Sequence, residues 1–402
     1  MKKQEIGKLL DNSFSAKDWD DYRWQQAHLV KDIQTLRSVI GEEAITALNA
    51  GGEVMAAFAM SITPHYLSLF DTDNIANCPI ARQAVATSME LIQSKSEMID
   101  PLGEEGFEAG TRSVVHRYPD RCLFLVANQC SMYCRFCTRK RIVGDSKKAI
   151  KPNDIEAGLE YIRKTKSIRD VLLSGGDPLF MSTKRIDYIL GELRKIEHVE
   201  FIRIGTKIPC VMPQRINSEL TEVLAKYAPI WINVHFNHPS ELGEAAKKSL
   251  MMLLRAGCPL NNQSVLLRGI NDDIDTFRRL NQKLLTCGVR PYYLYQGDLV
   301  VGTSHLRATI SEGMKLIEGM TGYTTGLARP TFVVDSPRGT GKIPVMPNHL
   351  VSMDNGRTVL RDYLGGNVVY EDMVRQDQVS EVTIRRDSVY EESEECSPLP
   401  VS

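Results

Sequence analysis

RCLFLVANQCSMYCRFCTRKR, residues 121–141, decides how the rest of the chain is read. An apolar, strand-like run, RCLFLVA, leads into a loop that carries Cys130, Cys134 and Cys137 at C-x3-C-x2-C spacing. Such a loop can wrap three thiols around one face of a small inorganic cluster, and cysteine thiolates are the usual holders of iron–sulfur clusters. Three thiols for four irons leave one iron open to a ligand. Structural zinc is the rival reading, but it wants four ligands and usually a second C-x2-C or a His pair. No second C-x2-C accompanies this one, which favours the open cluster.

Working outward from that loop, apolar runs alternate with amphipathic stretches. The runs are RCLFLVA, DVLLSGGD, VEFIRIGT, IWINVHF, NQSVLLRG and VRPYYLY. The segments between them repeat apolar residues at three and four positions. Alternating strand and helix means parallel βα units. Six units predict an α/β fold, an open (β/α)6 partial barrel over residues 111–320, with active residues on loops at the C-terminal strand ends. Residues 1–110 read as an N-terminal helical cap. In it SAKDWDDYRWQQAHLVKDIQTLRSVI forms a helix capped by Ser15, a second helix breaks at Gly51 and Gly52, and DPLGEEGFEAGTRS is loop. Residues 321–375 form a C-terminal extension. Residues 376–402 are polar and acidic, the composition of a disordered tail.

The 402 residues suffice for a large core. A net charge of −1 points to neither nucleic acid nor an anionic membrane surface. No apolar run reaches the ~20 residues that span a bilayer, and MKKQEIGKLLDNSF lacks the apolar centre of a signal peptide. Nine cysteines scattered along the chain read as reduced thiols of a cytoplasmic protein.

Other stretches carry candidate chemistry. In SGGDPLF (Ser174, Gly175, Gly176, Asp177) the paired glycines allow backbone to approach a ligand closely, or simply turn a strand into a helix. Arg117 and Arg121 in HRYPDR offer two guanidinium forks suited to a phosphate, with surface ion pairs as the default. RGTGKIP (338–344) fails as a phosphate loop, since Ser336 stands where glycine is needed and Ile343 where Ser or Thr is needed. Lys342 then needs another role. An amine among flexible glycines suits a Schiff base, for which pyridoxal phosphate (PLP) is the common partner, although exposed lysines are usually just solvated. Asp298 and Asp335 each end an apolar run and could together meet a cationic group, or each cap a helix. His235 and His238 have H-x2-H spacing without an acidic or Cys partner nearby, which favours packing or cofactor contact over metal.

The cysteine spacing, with an aromatic before the last Cys, resembles the radical S-adenosylmethionine (SAM) superfamily, and SGGD resembles its GGE-type motif. CSMYCRFCTRKR, SVVHRYPDR, DVLLSGGDPL, VHFNHP, LNNQSVLLRGIND, RPYYLYQGDL and TFVVDSPRGTGKIPVMPN, in that order, together resemble the lysine 2,3-aminomutase family over residues 15–370. The resemblance implies an isomerase using a [4Fe–4S] cluster, SAM and PLP. The 2-amino group of L-lysine would move to C3 through an external aldimine and a 5'-deoxyadenosyl radical. Residue by residue it implies Cys130, Cys134 and Cys137 for the cluster, Lys342 for PLP, and Arg117, Tyr118 and Arg121 for the PLP phosphate. Ser174, Gly175, Gly176, Asp177, His235 and Gln263 would meet cofactor, Arg139 the substrate carboxylate, and Asp298 and Asp335 its ε-ammonium. Arginine is the alternative substrate, and a PLP-independent radical SAM modifying enzyme the alternative activity. The implied partners are an electron donor such as flavodoxin or ferredoxin and further copies of the chain, with no nucleic acid and no membrane. Members with a zinc-binding tail carry clustered cysteines there and one more after LLRGxND. Here the tail holds only Cys396 and Asp273 takes the other place, so no structural zinc is expected.

Overall fold

The computed structural model describes residues 2–107, 109–354 and 356–372; the acidic stretch 376–402 lies outside them. The chain divides into two compact units, Met1–Pro347 and Asn348–Ser402.

The first unit is built on one sheet of nine strands in sequence order. These are β1 (Val114–Tyr118), β2 (Arg121–Ala127), β3 (Asp170–Gly175), β4 (Phe201–Thr206), β5 (Trp231–Val234), β6 (Leu260–Val265), β7 (Val289–Tyr295), β8 (Thr331–Asp335) and β9 (Lys342–Pro344). Strands β2 to β8 run parallel, and β1 and β9 add antiparallel edges. The six expected βα units are present. The run TFVVD, read from sequence as part of an extension, joins the same parallel set as β8.

Helices enter each crossover as the sequence dictates. Ser182 caps Thr183–Arg194, Asn217 caps Ser218–Lys226, Asp273 caps Ile274–Thr286 and Thr309 caps Ile310–Met320, each side chain accepting a first-turn N–H. Their apolar faces cover the sheet, whose Val171, Leu173, Ile202, Ile204, Ile232 and Val234 are fully buried beneath them. Parallel sheets covered in this way read as near-continuous apolar runs.

The N-terminal region is more broken than its periodicity predicts. The stretch from Ser15 to Ile40 holds a 3-10 turn (Asp18–Asp20) and two short helices, Tyr22–Ala27 and Ile33–Ile40, capped by Asp21 and Asp32 rather than Ser15. Local side-chain caps win here over one continuous helix. This region grips the cysteine loop. Tyr133 N–H donates to Ser61 O at 3.0 Å and Arg135 N–H to Gln83 O at 2.9 Å. Arg135 donates from Nε and Nη2 to both oxygens of Glu90 at 2.8 and 2.6 Å, and Lys140 Nζ adds a third bond at 2.8 Å. Burial raises the Glu90 carboxyl, but the Arg135 and Lys140 cations outweigh that and hold it below its ordinary value. The second unit contains an antiparallel three-stranded sheet, Leu350–Asp354, Arg357–Arg361 and Asn367–Glu371.

Glu90 is fully buried and Arg135 nearly so. Glu90→Ala therefore leaves two cations under the cap without a counter-charge, at a cost of about 3–5 kcal/mol. Thermal unfolding of the cofactor-free protein is expected to show a Tm drop of several degrees.

Candidate active site at the barrel mouth

The cysteine loop follows β2, and the end of β3 lies directly against its start. Gly176 N–H donates to Ala127 O at 2.6 Å and Asp177 N–H to Gln129 O at 2.9 Å. A Cβ on Gly175, which has φ +116°, would lie 2.1 Å from Ala127 O, and one on Gly176 2.4 Å from Gln129 O. Only glycine permits that approach. The N–H groups of this stretch are thus spent on protein carbonyls. The sequence had placed Asp177 among cofactor contacts, but its side chain turns into the protein. It accepts from Thr206 Oγ1 (2.7 Å), Lys207 N–H (2.7 Å) and Leu179 N–H (3.0 Å), and burial lifts it to about 6.

Cys130, Cys134 and Cys137 are free thiols that ring one cavity of about 100 Å³, together with Phe58, Met132, Tyr133 and Val143. Burial pushes all three thiols up, Cys134 to about 12. A thiolate in this setting needs metal charge beside it, and a coordinating thiol is deprotonated outright. Among the described residues, no three His, Cys, Asp or Glu groups converge on a single ion. A multi-iron cluster instead needs its thiolates spread around it, so an all-sulfur trio lining one small cavity, with the cations Arg135 and Lys140 beside it, fits a cluster.

A larger cavity of about 650 Å³ runs along the inner face of the curled sheet, lined by residues at strand starts (Arg121, Asp170) and at strand ends (Ser174, Asp335). It is lined by Arg117, Tyr118, Arg121, Arg139, Ser174, His235, Gln263, Asp298, Asp335 and Lys342, ten residues singled out from sequence. Lys342 Nζ donates to both oxygens of Asp335 at 2.9 and 3.2 Å and lies 5.2 Å from the Tyr295 ring centre. Its backbone N–H donates to Tyr118 Oη at 2.9 Å, and the Arg121 guanidinium stacks 3.9 Å from the Tyr118 ring. Tyr118 belongs to the first strand of the sheet and Lys342 to the last, so the sheet curls until its two edges touch. Arg117 Nη2 donates to Leu102 O at 2.7 Å.

Thr138, next to Cys137, donates to Asp298 and ties the two cavities together. Burial raises Asp298 to about 6, with the charge of Asp335 adding to it and the Thr138 hydrogen bond and Lys342 opposing. Gln263 Nε2 donates to Tyr295 Oη at 3.2 Å. Burial lowers His235 to about 3, so its ring is neutral. His235 Nε2 and Gln296 Oε1, both on residues of this cavity, are buried with no hydrogen-bond partner among the described residues. Such orphaned atoms are what a bound ligand satisfies. An amine, guanidinium forks and aromatic walls in one cavity fit a phosphorylated aldehyde cofactor.

Sequence reasoning missed Glu104, which sits in the stretch read as loop. It forms a 3-10 turn, Glu104–Phe107, and its carboxylate takes Arg139 Nε and Nη2 at 2.6–3.1 Å. An acidic pair in a glycine-containing loop carries no signal of its own, and the Arg139 partnership appears only in three dimensions. Tyr295 and Thr138 were hidden for the same reason.

The radical SAM superfamily model matches residues 124–280, and the model described as Lysine-2,3-aminomutase matches residues 317–395. The L-lysine 2,3-aminomutase of Methanococcus maripaludis is 48% identical over 89% of this chain and 83% of its own length. That of Acetoanaerobium sticklandii is 45% identical over 90% of this chain and 88% of its own. The glutamate 2,3-aminomutase of Clostridioides difficile is 39% identical, covering 92% and 86%.

Two outcomes follow from this geometry. Gly176→Ala forces the cysteine loop away from β3, so iron and sulfide bound after anaerobic reconstitution should fall clearly below the wild-type content, while far-UV circular dichroism stays unchanged. Asp298 binds its proton more tightly folded than unfolded, so its charge opposes folding as pH rises from about 4 through 6. Asp298→Asn should therefore raise the Tm more at about pH 8 than at about pH 5.

Proposed function

The chain belongs to the lysine 2,3-aminomutase family, and from that membership we propose that it is an isomerase moving the 2-amino group of L-lysine to C3 to give β-lysine. The observation that supports the substrate is an alkylammonium already seated on Asp335: Lys342 Nζ donates to both of its oxygens, and Asp298 lines the same cavity. A substrate ε-ammonium is the same chemical group. A glutamate side chain would instead bring a third anion to these acids, and like charges in a dry cavity cost several kcal/mol.

A [4Fe–4S] cluster and SAM, when bound, supply a carbon radical able to take hydrogen from C3, and PLP carries the migrating amine. The chain's own residues bind and orient. Cys130, Cys134 and Cys137 would hold the cluster, and the Gly175–Gly176 backbone, His235 and Gln263 would contact SAM. Lys342 would anchor PLP, with Arg117, Tyr118 and Arg121 for its phosphate. Arg139 takes the substrate carboxylate at one end of the cavity while Asp298 and Asp335 take the ammonium at the other. That two-ended grip holds C2 and C3 between the cofactors and excludes water from a reactive radical. Ser174 lines the same cavity, and its hydroxyl accepts from Arg139 Nη1 at 3.1 Å. An external one-electron donor, such as a flavodoxin or ferredoxin, must reduce the cluster. We place the enzyme among homo-oligomers of the cytoplasm; among the described residues no helix is long and apolar enough to cross a membrane.

Arginine is the second reading, because a guanidinium can fork between two carboxylates. The test is anaerobic reconstitution with iron, sulfide, PLP and SAM, followed by product analysis with lysine, arginine and glutamate offered separately. β-Lysine alone is expected. Replacing both Asp298 and Asp335 by Ala removes two charge-assisted bonds worth roughly 3–6 kcal/mol together, a loss of at least ~100-fold in lysine turnover. Iron and PLP content should be retained, and a double variant that still turns over lysine would overturn the assignment.

A further inference from the structure

Arg139 is held on two sides. Its Nε and Nη2 donate to both Glu104 oxygens at 2.6–3.1 Å. Its Nη1 donates to Ser174 Oγ at 3.1 Å and Gly175 O at 3.4 Å. Of the five guanidinium N–H groups, the second one on Nη2 remains. It lies on the end edge, beside Nη1, of a side chain that lines the large cavity. Glu104 itself is 3% exposed.

The segment that carries Glu104 is fastened at several points. Arg141 Nη2 lies 3.2 Å from Asp100 and 3.6 Å from Glu104. Arg117 Nη2 donates to Leu102 O at 2.7 Å, and Arg338 N–H donates to Pro101 O at 2.8 Å. Glu104 is thus not a loose occupant that a substrate brushes aside. Arg139 and Arg141 both lie against the buried Glu104 carboxylate, and Arg141 also against Asp100, while Glu105 is 68% exposed and screened by water.

We propose that Glu104 is a positioning residue for carboxylate recognition: it stays bound and, with Ser174, fixes the Arg139 guanidinium so that its end edge meets the substrate carboxylate. This rests on the reading of Arg139 as the carboxylate grip. Specificity for an α-amino acid over a simple diamine then depends on an acid that never touches the substrate.

The experiment compares L-lysine with L-lysinamide, which lacks the carboxylate charge, on the reconstituted holoenzyme, with binding read from the change in PLP absorption. Wild type should prefer lysine. Glu104→Gln should weaken lysine ~10-fold to ~100-fold, the worth of a bond to a charged group, and leave lysinamide within about twofold. A purely structural role would weaken both alike, and a displaceable occupant would give tighter lysine binding. Either result, or no change, overturns the proposal. Arg139→Gln separates the two levels. If it keeps the preference for lysine, the reading of Arg139 fails and the proposal with it; if it loses the preference while Glu104→Gln keeps it, the proposal alone fails. Should Glu104→Gln not fold, Ser174→Ala decides, with lysine-selective weakening expected and its absence overturning the proposal.

Discussion

A loop of irregular backbone cannot hold three thiols in fixed relation by itself, so its neighbours must do it. On one side the buried Glu90 carboxylate takes Arg135 and Lys140 from the loop, and backbone bonds donated by the loop to Ser61 O and Gln83 O fix its register. On the other side the end of β3 comes so near that only glycine fits at residues 175 and 176. The cap is therefore part of the site's support. Removing either clamp would let the thiols drift while the barrel stood.

The same loop organises the second cavity. Thr138 and Arg139 follow Cys137 immediately, one bonded to Asp298 and the other to Glu104. A few residues thus link the three cysteines to Asp298 and Glu104 in the large cavity. Asp298, held by Thr138, and Arg139, held by Glu104, form a polar frame, and preorganisation of that kind is what enzymes use to orient reacting groups.

Much of this was legible in the sequence. Alternating apolar and amphipathic runs gave the parallel strands, because the face each strand packs under its helices is apolar, as with Val171, Leu173, Ile202 and Ile204. The residues that line the cavity were named from motifs and from resemblance, and they do come together. What stayed hidden had a common physical cause. Asp177 looked like a ligand contact and is a buried brace, since sequence cannot say which way a side chain turns at a strand end. Glu104 looked like loop and is the partner of Arg139, since the two are 35 residues apart. Ser15 looked like a cap, but Asp21 and Asp32 compete locally and win. Pairing over long separations leaves no periodic trace.

The touch between Tyr118 and Lys342 spans 224 residues. During synthesis the thiol-bearing segment leaves the ribosome some two hundred residues before the amine that completes the other half of the site. The curl can be fastened only when β9 has emerged, and closing so long a span is entropically slow. The cysteine loop is thus synthesised well before the contact between Tyr118 and Lys342 that closes the sheet.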